Sequence, residues 1–258
     1  MEKTLIKINL DDYPDKIKSL FEGARVFDSS CSEAAKVLYI EKDGGYFVKC
    51  AERGMLKAEC DMAQYFYKKG LGVSVTDYIS EDRDYLVTRK AEGEDAASKI
   101  YLENPKKLCD VLGEGLRALH DLKIDDCPEK RMETYFDTVE ENYHKGIFDA
   151  SIFYNGDIKR DEAYRIAQEN KKYFEAHTLI HGDFCLPNIM LNDFKISAFI
   201  DVGNGGMADR HIDLFWGAWS LWYNLKTDKY TDRFFASYGK DKINTDKLRV
   251  VSAMECFG

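Results

Sequence analysis

At 258 residues, 45% hydrophobic and 32% charged, the chain is long enough to bury a sizeable core without disulfides or a structural metal, and too apolar to be disordered. Its 46 acidic against 37 basic residues give a formal net charge of −9, which excludes nucleic acid as a main partner, because binding a duplex needs a basic face that displaces counterions. Seven scattered cysteines with no CxxC pair exclude the usual zinc-ribbon spacing and argue against a disulfide framework.

The opening residues, Met1-Glu2-Lys3-Thr4-Leu5-Ile6-Lys7, lead to Asp11 and Asp12 instead of an apolar signal core. The longest uncharged aromatic run, 214–225, is about half the length of a membrane-spanning helix. These features predict a soluble, cytoplasmic protein with no membrane partner, existing as a monomer or weak dimer, and an acidic balance that suits cationic small molecules.

From about residue 24 to 90 the chain reads as short strands with one helix inserted. Residues 37–41 and 46–50 are β-branched and aromatic runs around Asp43-Gly44-Gly45, a hairpin turn. Residues 55–69 follow as a helix with Met55, Glu59, Met62, Ala63 and Phe66 on one face, stopped by Gly70-Leu71-Gly72. Two more strands are predicted over 73–79 and 84–88. Beyond residue 95 the pattern turns helical: 106–122 carries Leu108, Val111, Leu112, Leu116 and Leu119 on one stripe. Residues 129–177 read as two or more helices broken near Asn155-Gly156. Short strands at 189–191 and 197–200, joined at Asn192-Asp193, precede a helix after Asp209 and a helical C-terminus to about Glu255. The prediction is an α+β chain with a small sheet-rich lobe, 1–90, and a larger helical lobe, 91–258, joined through Thr88-Arg89-Lys90-Ala91-Glu92-Gly93.

The chemistry concentrates in His181-Gly182-Asp183-Phe184-Cys185-Leu186-Pro187-Asn188 and in Phe199-Ile200-Asp201-Val202-Gly203. Asp183 and Asn188 stand five apart across a loop, and Asp201 ends a strand just before Gly203. A short hairpin between them brings all three to one mouth. Two carboxylates and an amide oxygen are hard oxygen ligands, suited to Mg²⁺ with phosphate oxygens completing the octahedron.

This segment resembles the catalytic loop of the protein-kinase-like phosphotransferases, in which an Asp and an Asn share one loop and a D-x-G Asp follows. Gly182 where protein kinases carry Arg points to the antibiotic- and choline-kinase branch. Lys49, on the strand after the hairpin, and Glu59, on the next helix, stand in the order and spacing of that family's ion pair. The turn Ser30-Cys31-Ser32-Glu33-Ala34-Ala35 has no glycine, so it is no P-loop, but it is similar to the corresponding loop of aminoglycoside 3'-phosphotransferases. So are Leu119-His120 with Cys127-Pro128, the run from Phe199 to Asp213, and the acidic-aromatic end Met254-Glu255-Cys256-Phe257. The resemblance runs nearly end to end and implies the two-lobed kinase-like fold.

It also implies roles. Asp183 orients the acceptor hydroxyl and takes its proton, while Asn188 and Asp201 hold Mg²⁺. Lys49, kept in place by Glu59, binds the α- and β-phosphates of ATP, and Ser32 donates to the β-phosphate. Backbone groups of Arg89 and Ala91 meet adenine, Thr88 lies behind it, and Asp213 braces the catalytic loop. The acceptor would be a cationic aminoglycoside held by carboxylates. Asp149 and Asp157 from the insertion, Tyr223, Glu255 and Phe257 are the candidate contacts. Tyr223 and Asn224 stand where a Glu-Asp pair is expected, which leaves open a kinase of another cationic or sugar alcohol. A nucleotide-binding module without catalysis, and an oxygenase using His181, Asp183 and His211, are further alternatives. The tryptophans at 216, 219 and 222 have the spacing of a buried helix face, against a cation–π pocket as the second reading.

Overall fold

Period-two alternation builds the first layer. The structure, a computed structural model, describes residues 4–31, 35–124, 126–153 and 156–258. Its first 89 residues contain β1 (Thr4–Ile6), α1 (Asp15–Phe21), β2 (Arg25–Asp28), β3 (Lys36–Glu41), β4 (Tyr46–Glu52), α2 (Lys57–Lys68), β5 (Val75–Ser80) and β6 (Arg83–Arg89). The strands form one six-stranded antiparallel sheet in the order β1-β2-β3-β4-β6-β5. Along β4, Tyr46, Val48 and Cys50 pack on one face with Ile17 and Phe21 of α1. Phe47 and Lys49 therefore point to the other face, over the site. The hairpin between β3 and β4 turns where expected, with Asp43, Gly44 and Gly45 all at positive φ (48°, 91° and 102°).

The second lobe contains β7 (Glu94–Asp95), α3 (Lys99–Leu102), α4 (Pro105–His120), α5 (Arg131–Lys145), α6 (Arg160–Asn170), β8 (Thr178–Ile180), β9 (Ile189–Asn192), β10 (Lys195–Phe199) and β11 (Gly206–Ala208). It closes with α7 (His211–Leu225), α8 (Thr231–Tyr238) and α9 (Thr245–Glu255). Two small sheets, β10-β9-β7 and β11-β8, hold the loops between them. The apolar stripe of α4 is the spine of the core: Leu108, Leu112 and Leu116 are fully buried. Helix α2 ties the lobes together, because Leu56 and Cys60 at its start pack under the sheet while Met62 and Phe66 enter the α4 core. The architecture is the two-lobed α+β arrangement predicted. Among the described residues no helix is long and apolar enough to cross a membrane.

The helical region 129–177 is broken between α5 and α6, in the stretch that contains the expected break at Asn155-Gly156, and α5 is capped by Gly146, whose φ of 75° lets its N–H bond back to the Asn142 and Tyr143 carbonyls. Asn155 itself lies outside the described residues. The pairs β1–β2 and β8–β11 escape a sequence reading because strands of three or four residues carry too few alternations to register. The tryptophan stripe is not uniformly core: Trp216 and Trp219 are half-buried and Trp222 is 40% exposed. Spacing of three residues lags the 3.6-residue turn, so each indole sits further round α7 than the last.

Candidate active site

The cleft between the lobes encloses about 800 Å³. Lys49, Glu59, Thr88, Arg89, Ala91, Asp183, Asn188 and Asp201, eight of the predicted residues, line it. Ser32 lies outside the described residues; its neighbours Cys31 and Ala35 line the same cleft.

Lys49 is fixed by two carboxylates from opposite sides. Its Nζ stands 2.7 Å from Glu59 Oε2 and 2.8 Å from Asp201 Oδ1. Burial works against the ammonium, but the two anions outweigh it and raise its pKa, so Lys49 is a permanent cation facing the cleft. Glu59 is held in register by a residue that sequence reading missed. Asp84 is fully buried in β6, and its Oδ2 accepts from the backbone N–H of Gly54 (2.9 Å) and Leu56 (3.0 Å) and from the Tyr78 hydroxyl (3.0 Å). This pins the turn from which α2 starts. Its signal was an aspartate set inside the aromatic and β-branched run of β6.

The loop carrying Asp183 is equally constrained. Asn188 donates through Nδ2 to Asp183 Oδ2 (2.8 Å) and to the Asp183 carbonyl (3.1 Å). The Asn188 side-chain oxygen, Oδ1, is thus the end left for another partner, its main-chain carbonyl already accepting from the Ile200 N–H (3.0 Å). Asp201 sits in the left-handed region (φ 56°) after β10, a conformation that costs a non-glycine residue on the order of 1 kcal/mol or more. Behind the loop, Asp213 is fully buried and accepts from the N–H of His181 (2.7 Å) and of Gly182 (2.8 Å). This is the bracing position predicted for it. His181 Nε2 donates to the Ile200 carbonyl at 3.0 Å, tying the loop to the end of β10. Gly182 is required where it stands: at φ 86°, a Cβ would lie 1.9 Å from the Asn204 carbonyl oxygen.

Two expectations about the cleft change. The Arg89 N–H donates to the Ser74 carbonyl (3.0 Å), so as the chain stands that group is not offered to a base. Arg89's guanidinium donates to the Asp43 carbonyl (2.8 Å) and stacks 4.1 Å over the Tyr46 ring. The oxygenase alternative fails on its histidines. His211 is bonded to Asp209 Oδ1 (2.5 Å) and accepts from the Asn244 N–H (2.9 Å), while His181 has both ring nitrogens engaged with the chain.

The five predicted acceptor contacts are not brought together in the cleft. Phe257 is fully buried, edge-on to Tyr143 and Tyr164 and against Phe148, so it offers no surface to a ligand. Glu255 is 6% exposed, and burial pushes its carboxyl well above the usual range. Asp149 is exposed but accepts from the Ser151 N–H (2.9 Å) and hydroxyl (2.6 Å). Asp157 is exposed, and Tyr223 is half-exposed and stacked on Trp219 with centroids 5.0 Å apart. An apolar C-terminal sequence packs inward when a core accepts it, and the core that accepts this one is assembled from residues more than 90 positions away, Tyr143, Phe148 and Tyr164.

The profile of the phosphotransferase enzyme family matches residues 25–251. The chain is 42% identical over 256 residues to a probable aminoglycoside 3'-phosphotransferase of Lactococcus lactis subsp. lactis, covering 98% of each. It is 31% identical over 179 residues to an aminoglycoside 3'-phosphotransferase of Niallia circulans, covering 67% of each. Among solved structures, the aminoglycoside-3'-phosphotransferase of type VIII superposes with a TM-score of 0.79 at 22% identity, over 96% of this chain and 99% of that one. The aminoglycoside phosphotransferase APH(3'')-Id of Streptomyces rimosus, solved with ADP and streptomycin, superposes at 0.73 and 21% identity, over 86% of this chain and 90% of that one. The fold is therefore the kinase-like one, and the chain belongs to the phosphotransferase enzyme family.

Proposed function

We propose that this protein transfers the γ-phosphoryl group of ATP to a hydroxyl of an aminoglycoside, at the 3' position as in its named relatives. The observation that carries the reading is the meeting of Lys49, Glu59 and Asp201 with the Asp183–Asn188 pair at one cleft.

Asp183 accepts the proton of the acceptor hydroxyl as that oxygen forms its bond to the γ-phosphorus. The bond from the γ-phosphorus to the β,γ-bridging oxygen breaks, and ADP leaves with that oxygen. Asn188 holds the Asp183 carboxylate at one rotamer, so the base meets the hydroxyl already oriented. Lys49 neutralises the α- and β-phosphates, with Glu59 keeping its Nζ aimed at them. The donor set of Asn188 and Asp201, one amide oxygen and one carboxylate, fits Mg²⁺. When bound there, Mg²⁺ supplies charge neutralisation to the phosphate oxygens. Asp201 would exchange its bond to Lys49 for that role as the nucleotide enters. Thr88 and Ala91 bound the space for the base. Residues 1–90 form the nucleotide lobe in this reading and 91–258 the acceptor lobe. Asp149, Asp157 and Tyr223 are the exposed candidates for the acceptor's ammonium groups and rings.

The experiment is a Mg-ATP assay with kanamycin, scored by mass spectrometry of the antibiotic, beside an analogue lacking the 3'-hydroxyl and an Asp183→Ala control. Phosphorylated kanamycin that vanishes in both controls is the expected result. Kanamycin left untouched by a protein that binds Mg-ATP would overturn the acceptor and retain the kinase, directing the search to other amino or quaternary alcohols.

A further inference from the structure

We infer that Tyr238 is a positioning residue for the catalytic loop, acting through His120 and Asp213; the inference rests on the reading of Asp183 as the base. Four side chains form a row of hydrogen bonds through the larger lobe. Arg210 Nη1 lies 3.1 Å from the Tyr238 hydroxyl, which lies 2.9 Å from His120 Nδ1. His120 Nε2 lies 3.0 Å from Asp213 Oδ2, and Asp213 in turn takes the N–H groups of His181 and Gly182, the two residues before Asp183. Tyr238, His120 and Asp213 are all buried, so water cannot replace a missing link.

The chemistry of each group sets the direction of the row. The Asp213 carboxylate only accepts, so His120 Nε2 carries the proton. Burial disfavours the imidazolium and lowers the His120 pKa despite Asp213, leaving Nδ1 as a lone pair that needs a donor. The Tyr238 hydroxyl is that donor, and burial pushes its pKa up to about 12, so it keeps its proton. The Tyr238 oxygen then accepts from Arg210. Helix α8 thereby selects the tautomer with which α4 holds Asp213. Phe at 238 would leave Nδ1 buried and unpaired, and the imidazole would no longer be locked with Nε2–H toward Asp213.

Long-range ¹H–¹⁵N spectra of the histidine-labelled wild-type protein read the tautomer directly. The Nε2–H form is expected for His120; the Nδ1–H form, or an imidazolium at neutral pH, would overturn the inference. Tyr238→Phe is expected to lower kcat for kanamycin about tenfold with the Mg-ATP KM held within about twofold, the scale of a slightly misplaced base. The amide signals of His181 and Gly182 should shift, and the substitution should add little in a His120→Asn background. Unchanged kcat, or full additivity of the two substitutions, would sink it. Should Tyr238→Phe not fold, the wild-type tautomer decides alone, because a proton on His120 Nδ1 would leave the Tyr238 hydroxyl no lone pair to donate to. The tautomer and the amide shifts need no acceptor, so they stand or fall apart from the kanamycin assay.

Discussion

The cleft proposed to take the nucleotide and the residues proposed to meet the acceptor are built on different terms. On the nucleotide side, charged residues 152 positions apart, Lys49 and Asp201, meet at 2.8 Å, with Lys49 on a strand paired on both edges and Asp201 just past the end of β10. On the acceptor side the candidates are scattered: two are buried, two are exposed on loops, and one is stacked on a helix surface. Triphosphate and metal demand the same few oxygen and nitrogen donors whatever the acceptor. A polycation can be met by carboxylates or aromatic faces from many places, so that side is free to vary.

The sharpest attack on this contrast is at its centre. Asp183→Ala and Asp201→Ala should each cut turnover by about 10³-fold, since one removes the base and the other a cation ligand. They should separate in nucleotide affinity: Asp183→Ala retains it and Asp201→Ala weakens it with Mg²⁺ present, as calorimetry with Mg-AMPPNP would read. Near-wild-type turnover for either variant would remove it from the machinery. Lys49→Ala comes next, with a loss of about 10²-fold in kcat/KM for ATP and little change in the acceptor KM. An unchanged ATP KM and turnover would show that the ion triad serves only to fasten α2.

Smaller effects test the acceptor side. Asp149→Ala and Tyr223→Ala should each raise the kanamycin KM by about two- to tenfold with the ATP KM unmoved, as befits exposed contacts. Flat results for both would place the acceptor against other surface. Glu255 supplies the smallest and most directional effect. Its folded pKa is raised above the ordinary carboxyl value, so its contribution to stability is full below the unfolded pKa and is lost as pH rises through the folded one. The melting temperature should therefore decline with pH above about 4.3, and Glu255→Gln should flatten that decline. A parallel pH profile for the variant would mean that Glu255 is not the buried acid it is in this structure.

Much of the nucleotide side was legible because its residues sit on strongly patterned elements. Alternation in β4 faces Lys49 to the cleft, α2 carries Glu59, and the hairpin β9–β10 spaces Asn188 from Asp201. Other parts were not. Asp84 and Tyr238 are polar residues in apolar surroundings, and their worth depends on partners 30 and 118 positions away. The acidic-aromatic end pointed to an acceptor contact, yet Phe257 closes the core among Tyr143, Phe148 and Tyr164.

The amino-acid sequence by itself determined the two-lobed α+β plan and, through the resemblance its motifs carry, the family and the residues proposed for phosphoryl transfer, because periodicity and motif spacing are local properties of a chain. Tertiary structure alone decided which carboxylates are paired, which are buried, and which tautomer His120 carries. Those depend on desolvation and on distances between segments far apart in sequence, and no local pattern encodes them.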